Sequence, residues 1–101
     1  MTRFYLTETA RISLKSIARH TQKQWGVAKR DTYLRALDKQ FHALAAHPEK
    51  GRQRDEVADG LRSYPEGKHV IFYFVETKYI VIADVLHERM DPAERLNPSS
   101  S

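Results

Sequence analysis

In "VLHERMD", residues 85–91, a histidine, two acids and an arginine fall within five positions at the end of the most apolar part of a 101-residue chain. An imidazole beside carboxylates and a guanidinium is the material of general acid/base chemistry: one group takes a proton, another returns it, and a cation stabilises developing charge. The same four residues also suit the polar terminus of a buried strand. Arg62, His69 and Tyr73, a cation, a second imidazole and a phenol, are the upstream groups that could join His87 and Arg89 in one constellation. Glu88 and Asp91 sit beside those cations and neutralise them rather than serve as a base.

Other polar patterns carry less. The five histidines, His20, His42, His47, His69 and His87, show neither a paired i, i+4 spacing nor an H-E-x-x-H pattern, so no metal site is expected. The sequence calls for no cofactor. Arg11, Lys15, Arg19 and Lys23 step by four along one stretch, but no base-stacking aromatics are interleaved with them, and the stripe reads as a solvated helix face. Lys50, Arg52 and Arg54 are offset at once by Asp55, Glu56 and Asp59, so "KGRQR" reads as part of a structured loop whose Gly51 supplies backbone freedom. With no cysteine, disulfide scaffolds and thiolate metal sites are excluded and a cytoplasmic home is the default. No apolar run approaches the ~20 residues that span a bilayer. The net charge of +4 favours a polyanionic or acidic partner without naming one.

The elements that must position these groups follow from periodicity. "RFYL" at 3–6 predicts a short strand, after which Thr7 or Thr9 can cap a helix. Ala10, Leu14, Ile17, Ala18, Thr21 and Trp25 recur at helical spacing until Gly26. The pattern restarts at Val27 with Tyr33, Leu34, Leu37, Phe41, Leu44 and Ala45 and stops at His47, before Pro48. So short a connection predicts an antiparallel helical hairpin. Residues 48–60 read as a loop, and "LRSYP", "HVIFYFVE" and "YIVIADVLH" as three strands, the last two joined as a hairpin. The expected fold is α+β in the order β-α-α-β-β-β, a helical hairpin on a mostly antiparallel sheet. Residues 1–96 form its single domain and 97–101 a flexible tail. Trp25, Tyr33, Phe41 and Phe72 are expected in the core.

Alternation in the last strand puts Val81, Ala83, Val85 and His87 on one face and Ile80, Ile82, Asp84 and Leu86 on the other. Both faces are largely aliphatic, yet one helical hairpin covers only one. The second face therefore needs a cover, either a partner or the chain's own C-terminal segment.

The chain resembles the ParE branch of the RelE/ParE toxin superfamily, the toxic halves of bacterial toxin–antitoxin pairs. The resemblance rests on "YLTETA" at 5–10, "WG" at 25–26, "LAAHPEKGRQRDE" at 44–56, "GLRS" at 60–63, "GKHVIFY" at 67–73 and "VLHERMD" at 85–91, in that order and spacing. It covers nearly the whole chain and implies the same β-α-α-β-β-β fold. It also implies a non-enzymatic toxin that inhibits DNA gyrase, blocks replication and is neutralised by a cognate ParD-type antitoxin, with no sequence-specific nucleic-acid binding of its own. Arg62, His69, Tyr73, His87 and Arg89 are the candidates for target contact. Leu14, Ile17, Leu37, Ile80, Ile82 and Leu86 are the candidates for antitoxin contact, since antitoxins of this family wrap the toxin with an extended, partly helical C-terminal segment.

The alternative within the superfamily is a ribosome-dependent mRNA endoribonuclease of the RelE type. Such relatives place further catalytic groups, often a tyrosine, near the C-terminus, and "MDPAERLNPSSS" contains no His, Tyr or Lys. Two departures from the ParE pattern are Asp84, where a basic residue is common, and Arg30, where a small one is. Asp84 is expected to weaken a positive surface on the sheet and Arg30 to alter the packing of the second helix.

Overall fold

The computed structural model describes residues 3–96, and the expected tail at 97–101 lies outside them. Strand β1 (Arg3–Leu6) leads into helices α1 (Glu8–Trp25) and α2 (Val27–Ala46). Strands β2 (Arg52–Gln53), β3 (Leu61–Glu66), β4 (His69–Val75) and β5 (Tyr79–His87) follow, then a short helix α3 (Pro92–Leu96). The expected α+β order is present, with three additions: β2 and a 3-10 turn over Pro48–Lys50 lie in the segment read as loop, and α3 follows the last strand.

Local chemistry explains the boundaries. The Thr7 hydroxyl accepts the Ala10 N–H at 3.0 Å and caps α1, while donating to the Ala83 carbonyl at 2.7 Å, so one side chain ties the helix start to the sheet. Gly26, at φ 93°, reverses the chain between the helices in a single residue. Arg30, expected to alter the packing of α2, bridges that turn by hydrogen bonds to Gln22 of α1 and to Asp31.

The sheet runs β1-β5-β4-β3-β2, with β1 parallel to β5 and the other pairs antiparallel. Phe72 pairs with Asp84 but Tyr73 with Ile82, so Ala83 is an extra residue in β5, a β-bulge. The bulge shifts the alternation by one. Ile80, Ile82 and Val85 join Ile71 and Tyr73 beneath the hairpin, packed with Ala10, Ile17, Leu37, Phe41, Leu44 and Ala45. Leu86 is thrown to the other side, into a second cluster with Val57, Leu61 and Phe72. The grouping of Ile80, Ile82 and Leu86 on one partner-seeking face is thereby corrected.

The opposite face is covered in part by the chain itself: Ala58 of the 54–60 segment and Leu96 of α3 pack on the second cluster, while Val70, Phe74, Val81 and Ala83 stay half-buried. Asp84 does not face solvent as expected. It is 3% exposed, accepts the Ser13 hydroxyl of α1 at 2.5 Å and binds the Val85 N–H at 2.8 Å. Trp25 departs from its expected core position too, being 68% exposed at the hairpin tip.

Candidate functional site

The sheet divides the five expected contact residues into two groups. Arg62 lies opposite Tyr73, whereas His69 lies opposite His87. Along β4 the two positions are four residues apart, about 13 Å at ~3.3 Å per residue. The constellation suggested by residue type is therefore not one cluster.

Tyr73 belongs to the core. Its ring is fully buried and its hydroxyl accepts the Gly51 N–H at 2.9 Å and donates to the Pro48 carbonyl at 2.7 Å, satisfying both backbone groups. Burial pushes its pKa above the ordinary phenol value, and the Gly51 N–H and the Arg62 charge act against that rise. Arg62 reinforces the same turn, donating to the Gly51 carbonyl at 2.7 Å. A surface role for the Tyr73 hydroxyl is thus corrected: both of its hydrogen bonds hold the 3-10 turn. Gly51 has extended φ of −77°, so backbone freedom is not its purpose. A β-carbon there would overlap the Tyr73 hydroxyl, and space is what the position demands.

At the other end, β4 and β5 bring the two imidazoles together, edge to face at 5.5 Å between centroids. The Tyr33 hydroxyl of α2 donates to the Glu66 carbonyl at 2.9 Å and lies 2.6 Å from His69 Nδ1. One phenolic proton cannot serve both, so with Tyr33 donating to Glu66 the network assigns His69 as the Nδ1–H tautomer. Burial lowers the His69 pKa, and the neighbouring His87 and His20 lower it further against an opposing pull from Glu88. Burial likewise raises the pKa of Tyr33. His87 Nδ1 accepts the Arg89 N–H at 3.2 Å, which leaves Nε2 carrying the proton in the neutral ring. His87 thus ends the strand with a ring that offers a donor at Nε2. The Arg89 side chain belongs to an exposed residue. Sequence reasoning missed Tyr33 as the third member of this group; its helical spacing signals only core.

The apolar candidates divide as well. Ile17, Leu37, Ile80, Ile82 and Leu86 are buried within the chain's own two clusters. Leu14 is half-buried and lines an open groove of about 310 Å³ between α1 and α2, with Phe4, Leu6, Ala18 and Leu34 beside it and Leu37 and Phe41 within it. Among the described residues, no group of three or more potential ligands could hold a metal ion.

The family model described as "ParE toxin of type II toxin-antitoxin system, parDE" matches residues 4–92. The chain belongs to the ParE toxin family. Toxin ParE1 of Mycobacterium tuberculosis is 37% identical over 90 residues, 88% of this chain and 92% of that protein. Toxin ParE1 of Caulobacter vibrioides is 30% identical over 92% of this chain and 96% of its own length, and Toxin ParE of Escherichia coli 31% identical over 95% and 94%. A solved structure described as the chromosomal ParDE TA system from P. aeruginosa superposes with a TM-score of 0.73 at 20% identity, covering 86% of this chain and 96% of that one. That likeness is one of fold. As a ParE-family chain, the protein is a toxin of a type II toxin–antitoxin system. Among the described residues, no helix is long and apolar enough to cross a membrane.

Proposed function

We propose that this toxin acts in the cytoplasm by binding and inhibiting DNA gyrase, so that replication stalls, and that it performs no covalent chemistry. Membership of the ParE family is the observation that carries the reading. The separation of Arg62 and Tyr73 from His69 and His87 supports it: an RNA-cleaving site built on these groups would need them to converge on one phosphate. Here Tyr73 and Arg62 are committed to the 48–51 turn while His69 and His87 lie at the other end of the sheet. His87 and Arg89, with His69 behind them, remain the contact surface we assign to the target. Arg62 and Tyr73 act on it indirectly, through the fold.

The cognate partner is a ParD-type antitoxin whose apolar side chains enter the groove at Leu14, with Ile17 and Leu37 in the packing that shapes it and Ile80 and Ile82 as its internal support, whereas Leu86 lies on the other side of the sheet and takes no part. Induction of the toxin alone should arrest growth, and co-expression of the antitoxin should restore it. An Arg89→Ala variant that folds normally should inhibit growth less. Ribosome-dependent cutting of mRNA by the purified toxin, with gyrase unaffected, would replace this reading with the ribonuclease one.

A further inference from the structure

A pocket of about 420 Å³ opens between the tip of the helical hairpin and the β3–β4 turn. That volume falls within the ~300–1,000 Å³ range of small-molecule sites. Its chemistry is not that of the Leu14 groove. Lys29 of α2, Lys68 of the turn and His20 of α1 bring three cationic or potentially cationic groups from three separate segments, and among the described residues no carboxylate lines it. Trp25, 68% exposed, supplies a broad ring on the same pocket, and the imidazoles of His69 and His87 line the side made by the sheet.

An exposed indole costs solubility and contributes nothing to the core, so its position beside converging cations calls for a reason. The turn is held tightly against α2: Gly67 has φ 60°, and a β-carbon there would come within 2.7 Å of the Tyr33 ring. The Tyr33 bond to the Glu66 carbonyl fixes the turn that carries Lys68. Lys68 is therefore mounted on a braced turn, and His20 and Lys29 on the two helices. Cations that hold phosphate next to an aromatic face that stacks a base are the two halves of nucleotide recognition, and the stacking half tolerates any base.

We propose that this pocket binds a nucleotide, its phosphate held by Lys29, Lys68 and His20 and its base stacked on Trp25. The neutral His69, with its Nδ1–H engaged by Tyr33, offers Nε2 as an acceptor to the base edge, and His87 offers a donor. The shared chemistry, a phosphate joined to a planar base, occurs both in free nucleotides and at the 5′-phosphorylated end of a single strand. Neither requires sequence-specific binding, and the proposal stands whether or not gyrase is the target.

Trp25 is the single tryptophan of the chain, so its fluorescence reports directly on the site. The full-length toxin would be titrated with adenosine 5′-monophosphate, with a 5′-phosphorylated oligothymidylate and with inorganic phosphate alone. Saturable quenching by either nucleotide probe, not reproduced by phosphate at the same concentration, is the expected result. A response to the monophosphate assigns free nucleotides as the ligand, and a response to the oligonucleotide alone assigns strand ends. A Lys29→Glu, Lys68→Glu double variant with unchanged circular dichroism should bind at least about tenfold more weakly, and so should Trp25→Ala followed by calorimetry. No quenching by either nucleotide probe, or undiminished binding in the folded double variant, would overturn the proposal.

Discussion

A single oxygen atom on Tyr73 closes two backbone groups of the 48–51 turn, and the chain has arranged space around it by placing Gly51 beneath. Tyr73→Phe should therefore cost about 1–3 kcal/mol, the penalty for a buried donor left without its acceptor, measured by urea unfolding. Gly51→Ala should be at least as damaging, because the new methyl occupies the hydroxyl's place. Arg62→Ala should lose part of the same turn, and any loss of toxicity in it would follow stability, unlike the loss in Arg89→Ala. His69 makes a pH prediction. Its folded pKa lies below the ordinary histidine value, so the unfolded chain binds the proton more readily. Its contribution is present above about pH 6.5, the ordinary value, and is lost as pH falls below that. Stability measured from pH 7.5 to 5 should fall more steeply for the wild type than for a folded His69→Gln variant. Residue types alone placed His69 and His87 only within a single constellation of five groups. They could not separate Arg62 and Tyr73 from those two, because separation along a sheet is set by register, and register is a property of two strands together.

At the scale of elements, the hairpin and strands follow from patterns that are hard to misread: two helical periods divided by Gly26, then three runs of β-branched and aromatic residues. The bulge at Ala83 was not legible. Every residue from Tyr79 to Leu86 except Asp84 is apolar or small, so nothing in the alternation marks where one residue is skipped. That skip decides which aliphatic side chains face the helices. Thr7 fastens it by capping α1 and binding Ala83 at once, so Thr7→Val should cost about 1–2 kcal/mol of thermal or chemical stability and Thr7→Ser much less. Ile82 is wholly enclosed, and Ile82→Asp would bury a carboxylate without a partner. It should abolish folding instead of reporting on an interface. Leu14→Asp, in the open groove, is the variant that probes antitoxin binding. Burying a leucine is worth about 1.5–3 kcal/mol, so its loss should weaken the complex tenfold or more while leaving the toxin folded.

For the whole molecule, the hairpin groove and the hairpin tip are two surfaces of different chemistry. The first is apolar and suits a partner segment; the second is basic and carries the exposed indole. No periodicity rule would have joined Trp25 to Lys68, which are distant in sequence and meet only when the β3–β4 turn folds under the helices. The resemblance to ParE toxins covered almost the full chain, and the family match over residues 4–92 agrees with it. Target and mechanism are a separate matter, decided by what the toxin does to purified gyrase. Supercoiling of relaxed plasmid should be inhibited by the wild-type chain in a dose-dependent manner, relieved by added antitoxin and diminished by Arg89→Ala. Full supercoiling in the presence of excess folded, growth-inhibiting toxin would contradict the account.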